Sequence, residues 1–174
     1  MNSVIIAAFL FLVGYQPTSA QHRTTDLEVS QEYVLKRINL LRKNGCKCGR
    51  KRMKPVGSVT WNKTLEKSAL LHAKEMQRYN YFGHRSINGE DIGDRLDDLG
   101  YKWQYVGENL ANGQKSFDEA MKEWIKSPSH CEMLLNPNMK EVAVSRYGKF
   151  WVQHFGSLMP PNTRRTKITY SEGE

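Results

Sequence analysis

The sequence predicts one domain of the α+β class. Three observations lead there. Apolar residues recur at helical spacing in separate stretches up to residue 135, strand-like alternation is concentrated after residue 140, and 174 residues of 39% hydrophobic character fill one core but not two.

The amino-terminal stretch reads as a leader rather than part of that core. Residues 1–20 contain no Asp, Glu, Lys or Arg, and the apolar run from Val4 to Val13 is too short to span a bilayer as a helix. Thr18-Ser19-Ala20 puts small residues where a signal peptidase cuts, although the usual basic residue ahead of the apolar run is missing. Residues 1–20 are therefore expected to be a signal peptide cleaved after Ala20, residues 21–158 the domain, and residues 159–174 a flexible basic tail. The mature chain is expected to be secreted or periplasmic, with no transmembrane segment of its own.

Within the domain, Thr25-Asp26-Leu27-Glu28 has the order of a capping box, and Val34, Ile38 and Leu41 follow at helical spacing until Gly45 offers a left-handed stop. A basic loop containing Gly and Pro is expected from Gly45 to Ser58. Asn62 caps a second helix whose stripe is Leu65, Ala69, His72, Met76 and Tyr79, which points His72 at the core as a satisfied structural histidine. Tyr81-Phe82-Gly83-His84 ends that helix and leaves His84 on a turn. Ile92, Leu96 and Leu99 make the stripe of a short third helix before Gly100, and a strand is expected through Tyr105–Leu110. Ser116-Phe117-Asp118-Glu119 is a second capping box, opening a helix that buries Phe117, Ala120, Met121 and Trp124 and that Pro128 must end or kink. Ser127 then caps a short helix with Pro128 in its first turn, carrying His130 and Cys131 and stopping at Asn136-Pro137. Glu141–Tyr147 and Phe150–Phe155 read as a hairpin closed by Gly148-Lys149.

Because residues 1–20 are uncharged, the formal charge of +8 belongs to the mature part. It is concentrated at Arg50-Lys51-Arg52-Lys54 and Arg164-Arg165-Lys167, which favours acidic partners. Aromatic residues do not interleave with these runs, so they read as a solvated loop and tail and not as a nucleic-acid interface. An oxidising compartment favours a disulfide from Cys131 to Cys46 or Cys48, since neighbours one residue apart rarely meet disulfide geometry with each other. A zinc site built from Cys46, Cys48, Cys131 and a histidine matches no standard spacing and ranks below the disulfide.

Trp61-Asn62 to Tyr81, Phe82-Gly83-His84-Arg85-Ser86, Gly107-Glu108-Asn109-Leu110, Trp124 with Ser127-Pro128-Ser129-His130, and Phe150-Trp151-Val152-Gln153 occur in the order and spacing of one family. From about Glu32 to Gly156 the chain resembles the CAP superfamily, also called the SCP domain, of cysteine-rich secretory, antigen 5 and pathogenesis-related proteins, in its bacterial secreted form. The resemblance implies a three-layer α-β-α sandwich with a small antiparallel sheet between helices. It also implies a central cleft where the family places two histidines and two glutamates. His84 corresponds to the first of those histidines and Glu108 to the glutamate of the Gly-Glu-Asn motif. The chain departs at the other two, with Ser127 where animal and plant members carry the second glutamate and Phe150 in place of the second histidine. Bacterial members share the Ser-Pro-x-His segment, through which His130 is expected to return a histidine to the cleft.

A histidine and a carboxylate in contact can act as acid and base, so His84, Glu108 and His130 are the candidate catalytic residues. His84 and His130, with Glu108, also supply the donor types of a catalytic zinc site if they converge. No Gly-x-Ser-x-Gly, phosphate-binding glycine loop or His-Glu-x-x-His is present. The leading expectation is a non-enzymatic extracellular binding module, a monomer, whose partner is an extracellular protein, a cell-wall polymer or a lipid. A metal-assisted hydrolase of peptide or cell-surface polymer is the alternative, and an apolar-ligand binder the third reading.

Overall fold

A computed structural model describes residues 30–161. The leader, the Thr25–Glu28 box and most of the tail lie outside the described residues. The first helix, α1 (Gln31–Asn44), stops at Gly45, whose φ of 65° suits glycine and where a Cβ would come within 2.5 Å of the Met53 carbonyl oxygen. Its buried stripe is Val34, Ile38 and Arg42, with Leu41 only partly covered.

The segment expected to be a loop holds a small antiparallel hairpin, β1 (Cys46–Cys48) and β2 (Lys51–Met53), turning at Gly49 with φ 57°. Its strands are too short to show alternation in the sequence. A tertiary link pins it, the disulfide between Cys48 and Cys131 across 83 residues. The two-residue strand β3 (Thr60–Trp61) follows, and Asn62 caps α2 (Lys63–Tyr79) by accepting from the Thr64 and Leu65 amides. Leu65, Ala69, His72 and Met76 are buried as the stripe predicts, while Tyr79 is 52% exposed because the helix ends one residue later at left-handed Asn80.

Asp91 and Asp94 cap each other's backbone at the start of α3 (Ile92–Asp98). Strand β4 (Trp103–Asn112) extends beyond the predicted residues at both ends. In α4 (Phe117–Lys126) only the Ser116 half of the capping box forms, because Glu119 accepts from the Lys115 amide instead. Pro128 opens α5 (Pro128–Leu134), and the hairpin β5 (Glu141–Tyr147) and β6 (Phe150–Leu158) completes the chain.

The four-stranded sheet has the order β3-β5-β6-β4, antiparallel except for the short β3–β5 pair. Alternation sorts its side chains. Ala111, Val142, Trp151 and Phe155 face α1, α4 and α5; Val106, Leu110, Ala143, Phe150 and Val152 face α2 and α3. The result is helix, sheet and helix in three layers, with β4 at the sheet's edge.

Candidate functional site

Glu108 shares parity with Val106 and Leu110 on β4 and so faces the α2–α3 layer. Directly opposite on β6 stands His154, whose Nε2 lies 2.7 Å from Glu108 Oε2. Next to Glu108, Gly107 carries no side chain because Met133 of α5 lies against it; a Cβ there would come within 2.3 Å of the Met133 thioether. The carboxylate is thus set between a cross-strand partner and a helix packed on the opposite face.

Two further groups reach Glu108 from the α2–α3 side. His84, on the turn after α2, places Nδ1 2.7 Å from Oε1, and Arg95 of α3 donates from Nη2 to Oε2 at 2.8 Å. The other end of the Arg95 guanidinium donates to the carbonyls of His84 and Glu90 and to Ser86 Oγ at 3.1–3.2 Å. One arginine therefore neutralises Glu108 and holds the loop that carries His84. His72 donates from Nε2 to the Gly83 carbonyl at 2.9 Å and lies 3.9 Å from Glu108, so the core histidine also braces this turn.

Burial alone would raise the Glu108 pKa, but hydrogen bonds from His154 and His84 and the charge of Arg95 outweigh it and hold the carboxyl well below its ordinary range. With Glu108 ionised, both imidazoles donate to it, His84 through Nδ1–H and His154 through Nε2–H. Burial depresses the His154 pKa despite Glu108, with Arg95 and His72 adding to the effect. Buried His154 is therefore neutral at pH 7, with Nδ1 unpartnered among the described residues.

Of the residues singled out in the sequence, His84 and Glu108 are brought together. His130 sits half-buried on α5, beyond the β4 edge, and its backbone carbonyl accepts from Asn109 Nδ2 at 3.2 Å. Burial, and then the His84 charge, lower the His130 pKa. Glu108 is not placed to ligate a zinc ion beside His84 and His130. Both Glu108 oxygens already accept strong hydrogen bonds, and the one set of three donors among the described residues whose ligand atoms all lie within 4.8 Å of one another is Cys46, Cys48 and Cys131. Of the two pairings open to Cys131, the structure contains Cys48–Cys131 and leaves Cys46 as a thiol. Phe150 is buried at the start of β6 and stacks against Phe82 at 6.2 Å, away from the carboxylate.

Sequence reasoning missed His154 and Arg95. The alternation Phe150-Val152-His154 placed His154 on a defined sheet face, but its meeting with Glu108 depends on the β4–β6 register, which spans 46 residues of chain. Arg95 carried no signal beyond a charge beside an apolar helical stripe.

A three-layer α-β-α domain with an ionised glutamate clamped by histidines and an arginine defines the class. The chain matches the CAP family, described as the cysteine-rich secretory protein family, over residues 35–155, and belongs to it. It is 35% identical over 96 residues to the uncharacterized protein YkwD of Bacillus subtilis, covering 54% of this chain and 37% of that one. With the uncharacterized membrane protein YlbC of the same organism it shares 28% identity over 100 residues, 58% of this chain and 29% of the other. It thus spans about a third of the length of these curated relatives. Among solved structures, an extracellular SCP-domain protein of Bacillus anthracis superposes with a TM-score of 0.64 at 27% identity, over 72% of this chain and 39% of that one. An outer surface protein of Borrelia burgdorferi gives the same score at 22% identity, over 74% and 92% of the two chains, and shows the shared fold. Among the described residues no helix is long and apolar enough to cross a membrane.

Proposed function

We infer that this chain is a secreted, non-enzymatic interaction module that presents the His84 imidazole, oriented by Glu108, to its partner, with His130 as a second candidate contact. The observation that carries this reading is the commitment of Glu108. Its Oε1 accepts from His84, its Oε2 accepts from Arg95 and His154, and its side chain is 3% exposed. A general base must titrate near the working pH and reach substrate or water. Glu108 does neither, so its work is to orient His84, whose side chain is 41% exposed and is the part of the network a partner can touch. The extracellular and outer-surface descriptions of the structural neighbours support secretion.

The partner class, an extracellular protein, a cell-wall polymer or a lipid, is sorted by experiment. Mature protein is sedimented with peptidoglycan sacculi and floated with phosphatidylglycerol vesicles, and both mixtures are repeated with a His84→Ala, His130→Ala variant. The reading expects saturable binding to one of these, or to an extracellular protein captured by crosslinking, that the variant weakens while its near-ultraviolet circular dichroism stays native. Denatured casein and peptidoglycan should be hydrolysed no faster than in buffer. Turnover lost in His84→Ala with the fold intact would instead establish the hydrolase, with His84 and not Glu108 as its base.

A further inference from the structure

Away from the cleft, β1 and α5 bring all three cysteines of the chain together. Cys46 Sγ lies 3.3 Å from Cys131 Sγ and 3.9 Å from Cys48 Sγ. Cys46 and Cys48 are two apart on one strand and so project from the same side of the hairpin, towards α5. Their surroundings are apolar: Leu41, Met53, Val56 and Leu135 pack in the same cluster, and Met53 is the cross-strand neighbour of Cys46. No carboxylate or imidazole belongs to the three-donor group.

Thiolates bound to one metal at about 2.3 Å stand roughly 3.7–3.9 Å apart. The Cys46–Cys48 separation already has that span, and opening the Cys48–Cys131 bond lets the third edge of the triangle expand to it. We propose that, with this bond reduced, Cys46, Cys48 and Cys131 form an all-sulfur site for copper(I), with the Met53 thioether beside it. Soft sulfur donors in an apolar pocket select a soft cation content with three ligands over zinc, which takes a fourth. A dithiol reductant converts the Cys48–Cys131 bond to two thiols and is itself oxidised to its disulfide. The three thiols then release three protons to solvent as three copper–sulfur bonds form. The resulting negative charge falls on the hairpin that carries Lys47, Arg50, Lys51 and Arg52, and this gives the basic run a role that solvation alone does not.

The inference is independent of the cleft. To test it, mature protein is reduced with a dithiol, desalted under nitrogen and titrated against the copper(I)–bicinchoninate complex, whose colour fades as copper is withdrawn. Reduced protein is expected to withdraw about one equivalent, the oxidised protein none, and reduced Cys46→Ser to bind at least about tenfold more weakly while its oxidised form melts like the native one. Near-ultraviolet circular dichroism follows the fold throughout. A native spectrum lost on reduction and restored by copper supports the site, and one that copper fails to restore counts against it. No copper uptake by the reduced protein, uptake unchanged in Cys46→Ser, or preference for zinc(II) over copper(I) overturns it.

Discussion

At the scale of single residues, Glu108 and Arg95 form a buried ion pair in which Glu108 also accepts from His84 and His154 and Arg95 also donates to Ser86 Oγ and the loop carbonyls of His84 and Glu90. Removing one partner of such a pair leaves an uncompensated charge in the interior and costs about 3–5 kcal/mol. Glu108→Gln is therefore expected to lower the free energy of unfolding by about that amount, read from urea denaturation. Unchanged stability would mean that Arg95 is solvated when Glu108 is neutral. The same argument makes Glu108→Gln a poor test of catalysis, since it damages the fold that a catalytic reading needs intact. His84→Ala removes a partly exposed ring that donates to the buried Glu108 carboxylate while leaving Arg95 and His154 in place, and it should cost about 1–3 kcal/mol in the same assay, less than Glu108→Gln.

At the scale of elements, α1 is tied to the molecule by an arginine. Arg42 is 1% exposed and donates to the carbonyls of Gly57, Leu134, Asn136 and Met139, at 2.7–3.2 Å, so that one side chain joins α1, the segment before β3, the end of α5 and the approach to β5. Burial lowers its pKa to about 10, which leaves it charged at neutral pH. Arg42→Met should keep the volume and strand several of these carbonyls, at a cost of about 2–4 kcal/mol in urea unfolding. Arg42→Lys should recover little, because an ammonium cannot reach four acceptors spread over this plane. The helical period told where α1 turned its buried face, but Leu41 looked like the better occupant than its charged neighbour. Arg42 is inside because three chain segments end there with carbonyls to satisfy, and those segments come together only in the folded molecule.

At the scale of the whole molecule, buried histidines set the acid limit of stability. The pKa values of His72, His130 and His154 are lowered by burial, and that of Glu108 is lowered by its partners. Each group binds fewer protons folded than unfolded, so stability rises with pH through each window and is lost as pH falls. The loss should begin as pH drops below about 6.5, where unfolded histidine protonates, and steepen below about 4.3, where unfolded glutamate does. Melting temperature measured from pH 8 to pH 4 should show this decline, and His154→Gln should flatten its upper limb. A melting temperature level from pH 7 to pH 5 would contradict the neutral buried state of His154. Local signals in the chain were enough to determine the α+β class, the α2, α4 and α5 boundaries and the closing hairpin, because caps, prolines and apolar periods act over a few residues, whereas the pairing of His84 with Glu108 was implied by the family resemblance. The meeting of Glu108 with His154 and Arg95, the choice of Cys48 over Cys46, and the entry of Arg42 into the core were decided by the tertiary structure, because each depends on strand register or helix packing between residues far apart in the chain.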